Sequence, residues 1–469
     1  MFKKFTNGCV SMVQKYLPDA LLFAIILTLI CFVGGIGLTG QGPIRMIEHW
    51  GNGFWSLLAF AMQMALVVVT GYVLADSKPI AKGLDKLAGL PKTPTTAIWF
   101  IAVVSFFANF LNWGFGLVIG PLLAKRVAKK VRGLDYALAI ACAYATFVCW
   151  HGGISGSIPL KIATFSEGLV KETAGAMTAA VPISQTIFSP WNLLIQFGIV
   201  AILPLLNAWM HPTGDNVKTI DPALLVEPEV KPLRDRKTMT PADRIETSSV
   251  LSMLIGIMGL AYIVYWFVKK GFNLDLNIVN FIFLFLGIIL HRTPRAFLES
   301  VNGSVKGAAG VLIQFPFYAG IMGMMTGANA ETGQSLARMI SDGFVSISTV
   351  RTFPLLTFLA AGVVNFFGPS GGGQWAVQAP ITMPAGVALG VSPAVTAMAI
   401  AWGDAWTNLI QPFWALPALG IAGLGARDIM GYCVISLIVS GIIIGLGLYF
   451  LPEAFGMLVA TVAPAVAVP

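Results

Sequence analysis

In AWGDAWTNLIQP, Ala401 to Pro412, an aspartate sits in the middle of an apolar stretch. Asp404 is the only acidic residue from Gly343 to Ala426, and Arg351 is the only basic one. An acid near the centre of a membrane span costs ~2.5–3.5 kcal/mol on insertion scales, so such a group normally faces a bundle interior and has a task. Two tasks fit: holding a proton or cation beside Thr407 and Asn408, or serving as a structural acid satisfied by backbone N–H groups. His151, in CWHGGISGSIPL, is a second titratable group in such a place. Its charge changes near neutral pH, which suits proton carriage or a hydrogen bond to a ligand; a packed neutral ring is the alternative. Lys161, about three turns further on, is expected to snorkel toward the exterior, with attraction of an anion as the other reading.

Two more stretches break the apolar pattern: NFLNWGFG at Asn109–Gly116 and NFFGPSGGGQ at Asn365–Gln374. Non-helical backbone is tolerated in a membrane only where protein or a water-filled cavity surrounds it. The four interrupted segments, at 109–116, 150–159, 368–374 and 402–412, are therefore expected to converge on one wet site. Half-helix N-termini at such breaks suit an anion, while unwound carbonyls with Asn, Ser and Thr suit a cation. Glycine lets a ligand approach the backbone. Candidate substrate contacts are Asn112, Gly114, Ser155, Gly156, Ser157, Ser370, Gly371, Gly372, Gly373 and Gln374. Candidate coupling-ion contacts are Asp404, Asn408, Thr407, Asn109, Asn365 and His151. Trp375, Trp402, Trp406 and Trp414 could wall an apolar pocket or simply pack.

The elements that must position these residues follow from composition. The chain has 469 residues, 57% hydrophobic and 11% charged, with mean hydropathy +0.81. Apolar runs of the length that crosses ~30 Å of hydrocarbon recur along it, which defines an all-α polytopic membrane protein. The run at Leu21–Val33 lacks a small-residue cleavage site and reads as a first span, not a signal peptide. Further spans are expected at Phe54–Ala75, Leu134–Thr164, Pro190–Trp209, Val250–Val268, Leu274–His291, Ala308–Gly327, Ala394–Gly423 and Ile429–Leu451. The segment 97–124 is too short for two crossings, which need roughly 40 residues. A single crossing would leave the basic KRVAKKVR patch (125–132) on the wrong side, so a re-entrant hairpin is expected here. Residues 352–387 read the same way from the opposite face.

Drawn so, most of the 29 Lys and Arg fall on the cytoplasmic side, with the N-terminus inside and the C-terminus outside. The +8 charge therefore reports orientation and gives no sign of nucleic acid as a partner. The order span, span, hairpin, broken span, span occurs twice in opposite orientation. We read a first inverted repeat at 1–209 with its broken helix at 134–164, and a polar cytoplasmic linker at 210–247. A linking span at 248–272 and a second repeat at 273–469, with its broken helix at 394–423, follow. Inverted repeats with discontinuous helices are the architecture of secondary transporters. The five cysteines show no CxxC and the four histidines no metal-ligand spacing, so no metal or other cofactor is expected. A passive anion channel is an alternative, separable by uphill accumulation. An intramembrane hydrolase has little support: His151 and Ser155 stand i, i+4, but without GxSxG or HExxH.

At these residues the chain resembles the bacterial short-chain fatty acid transporter family, nearly end to end. The resemblance rests on LPDALLFAIILTLICF, FWSLLAFAMQMAL, NWGFGLV, IACAY, SGSIPL, QFPFYAGI, PSGGGQW, QPFWALPALGIAGLG and RDIMGYC. It implies uptake of short monocarboxylates such as acetoacetate or butyrate. More distantly, the hairpins look like those of the ion-transporter superfamily, which implies a homodimer in which a transport domain slides against a scaffold. Its tip motifs imply ion or carboxylate contact at Asn109, Asn112, Ser155, Ser157, Asn365, Ser370 and Asn408. The Ser-Asn-Thr triplets of the sodium-coupled dicarboxylate carriers are absent, so Asp404 makes H⁺ the expected coupling ion and Na⁺ the alternative.

Overall fold

The computed structural model describes residues 20–214, 217–221, 239–367 and 371–458. In the first half the helices are α1 (Ala20–Thr39), α2 (Pro43–Gly53), α3 (Leu58–Ala75), α4 (Lys78–Leu87), α5 (Pro94–Leu111), α6 (Trp113–Lys130), α7 (Tyr136–Ala145), α8 (Ser157–Ala163), α9 (Glu167–Glu172) and α10 (Pro190–Trp209). After these come α11 (Pro241–Glu246), α12 (Ser249–Lys270), α13 (Leu276–His291), α14 (Pro294–Ser304), α15 (Ala309–Thr326) and α16 (Leu336–Ile347). The chain closes with α17 (Phe353–Phe367), α18 (Gly371–Leu389), α19 (Pro393–Thr407), α20 (Pro412–Ala422) and α21 (Ala426–Ala454). Among the described residues the only strand-like pairing is a bridge between Val391 and Leu458. Among the described residues six segments are long and apolar enough to cross a membrane, and shorter apolar helices accompany them. This is an all-helical, multi-pass membrane architecture.

Both expected hairpins form. In the first, α5 and α6 run antiparallel, because a Cβ on Gly116 would meet Asn109 and one on Gly120 would meet Ser105. The chain reverses at Asn112, whose side chain caps α6 by accepting from the Phe115 N–H at 2.9 Å. The hairpin is longer than its apolar core at 97–124. Thr93 and Thr96 form a capping box that starts α5 at Pro94, and the good helix formers of KRVAKK carry α6 on to Lys130. In the second hairpin, Gln374 Nε2 donates to the Ala361 carbonyl at 2.8 Å, which sets α18 against α17. The expected tip residues 368–370 lie outside the described residues.

Both expected broken helices form too, each with the same plan. Helix α7 tightens into a 3₁₀ stretch, Thr146–Gly152, leaves helical geometry at 153–156 and resumes as α8. Helix α19 tightens at Asn408–Ile410, breaks at Gln411 and resumes at Pro412 as α20. The second break starts later than the expected Trp402. Trp402 to Thr407 stay helical because the interruption is set by Pro412, which cannot supply an N–H, and not by Gly403.

Helix α12 is apolar on all sides and mostly exposed. Only Ser252, Gly256 and Gly259 are buried, where the missing side chains admit Ile289 and Phe285 of α13. Polar contacts gather at the two ends of the bundle. At one end Arg126 pairs with Asp85 and Arg295 with Asp243 and Glu246, while Tyr136 donates to the Ala422 carbonyl. At the other, Arg351 pairs with Glu453, and Leu276 N–H donates to Thr164 Oγ1.

Candidate functional site

The described parts of the four interruptions meet. At the first hairpin tip, Trp113 N–H donates to Ser155 Oγ at 2.9 Å and the Phe110 carbonyl accepts from Ile154 N–H at 2.7 Å. The tip is thus fastened to the break of its own half. Asn109 and Asn365 then make the same contact in each half. Asn109 Nδ2 donates to Thr146 Oγ1 at 3.3 Å and to the Ser105 carbonyl at 2.9 Å. Asn365 Nδ2 reaches Thr407 Oγ1 at 2.9 Å, Asn408 Oδ1 at 2.7 Å and the Asp404 carbonyl at 2.7 Å. Each asparagine therefore ties a hairpin arm to the helical residue where its broken helix tightens.

The halves are joined by a chain of buried polar groups. His151 Nδ1 lies 2.8 Å from Asp404 Oδ2, and both side chains are fully buried. His151 Nε2 accepts from the Ile158 N–H at 3.1 Å and lies 2.8 Å from Ser157 Oγ. A nitrogen that accepts a backbone N–H carries no proton, so Nδ1 is the protonated nitrogen and donates to Asp404. The order Ser157–His151–Asp404 is that of a hydrolase triad. Here, however, the Nε2 lone pair is already engaged by a main-chain donor, which leaves a poor base for Ser157. Trp150 stacks on the imidazole, centroids 4.0 Å apart. The second hairpin presses on the same place: a Cβ on Gly371 would fall 2.6 Å from Ser157 Oγ and 2.8 Å from His151 Cε1.

Several buried atoms at this junction have no protein partner: Asp404 Oδ1, Asn109 Oδ1, Asn365 Oδ1, Asn112 Nδ2, Asn408 Nδ2 and Gln374 Oε1. Buried polar groups are normally paired, so a cluster of such atoms marks a place that takes water, an ion or a polar ligand. The mixture of oxygens and amide N–H groups can receive both a cation and a carboxylate. Among the described residues no His, Cys, Asp or Glu cluster could hold a metal ion.

Some candidates have other duties. Gly114 packs against the Val67 and Val68 carbonyls of α3, and Gly156 lies against the His151 carbonyl. Gln374 spends its amide N–H groups within the second hairpin. Ser370 lies outside the described residues. The tryptophans do not line up as one wall. Trp402 donates to Asn192, Trp375 to Glu172 and Trp406 to the Leu437 carbonyl, while Trp414 packs among Trp113, Phe147 and Trp150. Lys161 corrects an expectation: it is not exposed but only 8% accessible, ion-paired with Glu172.

Sequence reasoning missed the residues that serve the loosened backbone. Asn192 and Gln196 of α10 donate to the Gly152 and Cys149 carbonyls, at 3.1 and 2.9 Å. Tyr144 donates across the halves to the Asn408 carbonyl. Amides one helical turn apart in a largely apolar α10 were the available signal.

Hairpins, broken helices and a buried junction between two like halves define a membrane carrier. The fold is shared with the YdaH transporter of Alcanivorax borkumensis, at a TM-score of 0.61 and 16% identity over 94% of this chain and 99% of that one. A family model described as short chain fatty acid transporter matches residues 1–451, and the chain belongs to that family. Two relatives named "Putative short-chain fatty acid transporter" are each 43% identical to it. The Escherichia coli protein aligns over 96% of this chain and 99% of its own length, and the Haemophilus influenzae protein over 96% and 100%. The chain is thus a transporter and not an enzyme, and the Ser–His–Asp order belongs to a carrier.

Proposed function

We propose that this protein takes up short-chain fatty acids, monocarboxylates such as acetoacetate or butyrate, across the bacterial inner membrane by H⁺-coupled secondary transport. The observation that carries this reading is the Asp404–His151–Ser157 chain between the halves, with Asp404 Oδ1 buried and without a protein partner. A proton there neutralises a carboxylate that the site otherwise holds at high cost. The carboxylate headgroup is held by amide and hydroxyl donors beside Gly371, and transport proceeds by an elevator movement of hairpins and broken helices against the remaining helices. The working unit is a homodimer, as the superfamily resemblance implies, and the coupling ion is the only cofactor. Inverted orientation of the halves, with the Lys130 end cytoplasmic, fits the gathering of basic residues there.

The test is Asp404→Asn in proteoliposomes. Gradient-driven accumulation should fall roughly tenfold or more, about 1.4 kcal/mol, while exchange of bound substrate falls less. Undiminished driven uptake would remove Asp404 from coupling. Na⁺ coupling is the second reading, favoured by Asn109 Oδ1 and Asn365 Oδ1, two buried oxygens without protein partners. Imposing pH and sodium gradients separately decides between the ions.

A further inference from the structure

One helical turn beyond Ser157 on α8 stands Lys161, and one turn beyond Gly371 on α18 stands Trp375. Because Gly371 abuts Ser157, the second pair of positions meets as well, through Glu172 of α9. Lys161 Nζ lies 2.9 Å from Glu172 Oε1, with side-chain accessibilities of 10% and 2%. Trp375 Nε1–H donates to Glu172 Oε2 at 2.9 Å. The ammonium also sits 4.6 Å from the centroid of the Phe60 ring. Phe60 meets Phe315 edge to face, and both rings press on Gly372. An ion pair thus borders an aromatic surface, one turn from the His151–Asp404 bond.

Among the described residues Lys161 is the only buried lysine or arginine. A carboxylate brought into this region finds one cation, and Glu172 holds it. We propose that Lys161, one turn from the donors beside Gly371, joins them in receiving the carboxylate of the transported acid, and that Glu172 is the internal carboxylate it replaces, leaving by taking up a proton. The inference rests on the carboxylate-substrate reading above. Two ionised carboxylates on one buried ammonium leave an uncompensated charge, which is strongly unfavourable. A protonated Glu172 still accepts from Trp375 and turns its other oxygen into a donor. One anion and one proton enter together, so the local charge is unchanged. The alkyl tail then lies along Phe60 and Phe315.

Among the described residues the surroundings supply no other titratable partner to Glu172. On α9 itself Glu167 and Lys171 are exposed, and α18 brings no ionisable group to it. Helix α13 brings Asp275, which accepts from the Asn277 and Ile278 N–H groups. The 3₁₀ stretch and α19 bring His151 and Asp404, bonded to each other.

The experiment is binding of radiolabelled butyrate to the purified full-length protein between pH 6 and 8. Proton uptake on binding makes affinity fall as pH rises, by about tenfold per unit for one proton. Glu172→Gln keeps an acceptor for Trp375 and should remove one such factor, in the wild type and in an Asp404→Asn background alike. The double variant Lys161→Gln/Glu172→Gln removes both charges, avoids a lone buried ion, and should bind butyrate at least tenfold more weakly at every pH. Melting temperatures report whether each variant folds. An unchanged pH slope in Glu172→Gln, or wild-type affinity in the double variant, would overturn the exchange. Wild-type binding without any pH dependence would overturn it and leave butyrate as the substrate. No butyrate binding by the wild type would overturn the substrate reading and this inference together.

Discussion

Gly371 has no room for a methyl group. The added carbon would fall 2.6 Å from Ser157 Oγ, and neither Ser157 nor His151 can retreat without giving up the other. Overfilling a packed site costs ~1–3 kcal/mol. Gly371→Ala is therefore expected to cut butyrate uptake roughly tenfold or more with little change in expression; normal uptake would show that the second hairpin tip stands clear of the Ser157–His151 contact. At this scale the sequence was half legible. Asp404 stands out in any reading, since it is a lone acid in a long apolar stretch. His151 stands out too, but their pairing does not, because the bond closes over 253 residues and no local pattern announces it. Lys161 misled for the opposite reason. Lysines near the end of a span usually reach for water, and the acid that holds this one inside lies in a polar connection.

Among the elements, the first hairpin is held by two small contacts. Asn112 caps α6, and Ser155 accepts the Trp113 N–H. Asn112→Ala should cost about 1 kcal/mol, the usual worth of a helix cap. Ser155→Ala leaves a buried N–H without an acceptor, at ~1–3 kcal/mol. Both should lower the melting temperature of the detergent-solubilised protein, and an unchanged melting curve for Ser155→Ala would mean that water replaces its oxygen. Neither change should alter the relative uptake of acids of different chain length, because each buried CH₂ contributes only ~0.8 kcal/mol in any case. Existence of the hairpins and breaks was legible from glycine, proline and amides set in apolar runs. Their limits were not. Apolarity marks where lipid begins, whereas capping at Thr93 and helix-forming lysines after Ala124 decide where the helix ends.

Over the whole molecule, residues expected on the same side of the membrane touch each other. Arg295 meets α11, and Arg351 meets Glu453 at the far end. We expect a cysteine in place of Lys92 to react with an impermeant reagent only from the cytoplasmic face, and one in place of Thr332 only from outside. Both positions are exposed. Labelling of both from the same face would overturn the drawing. Charge counting leads to this drawing because basic residues concentrate at one set of helix ends. It could not see the ends pairing, which depends on side chains distant in sequence.

The bond between His151 and Asp404 has one more consequence. Each half owns one of its two atoms, so neither half holds a finished site. A gene cut within the polar connection at 210–247 should yield two fragments that are inert when made singly and regain uptake when made in the same cell.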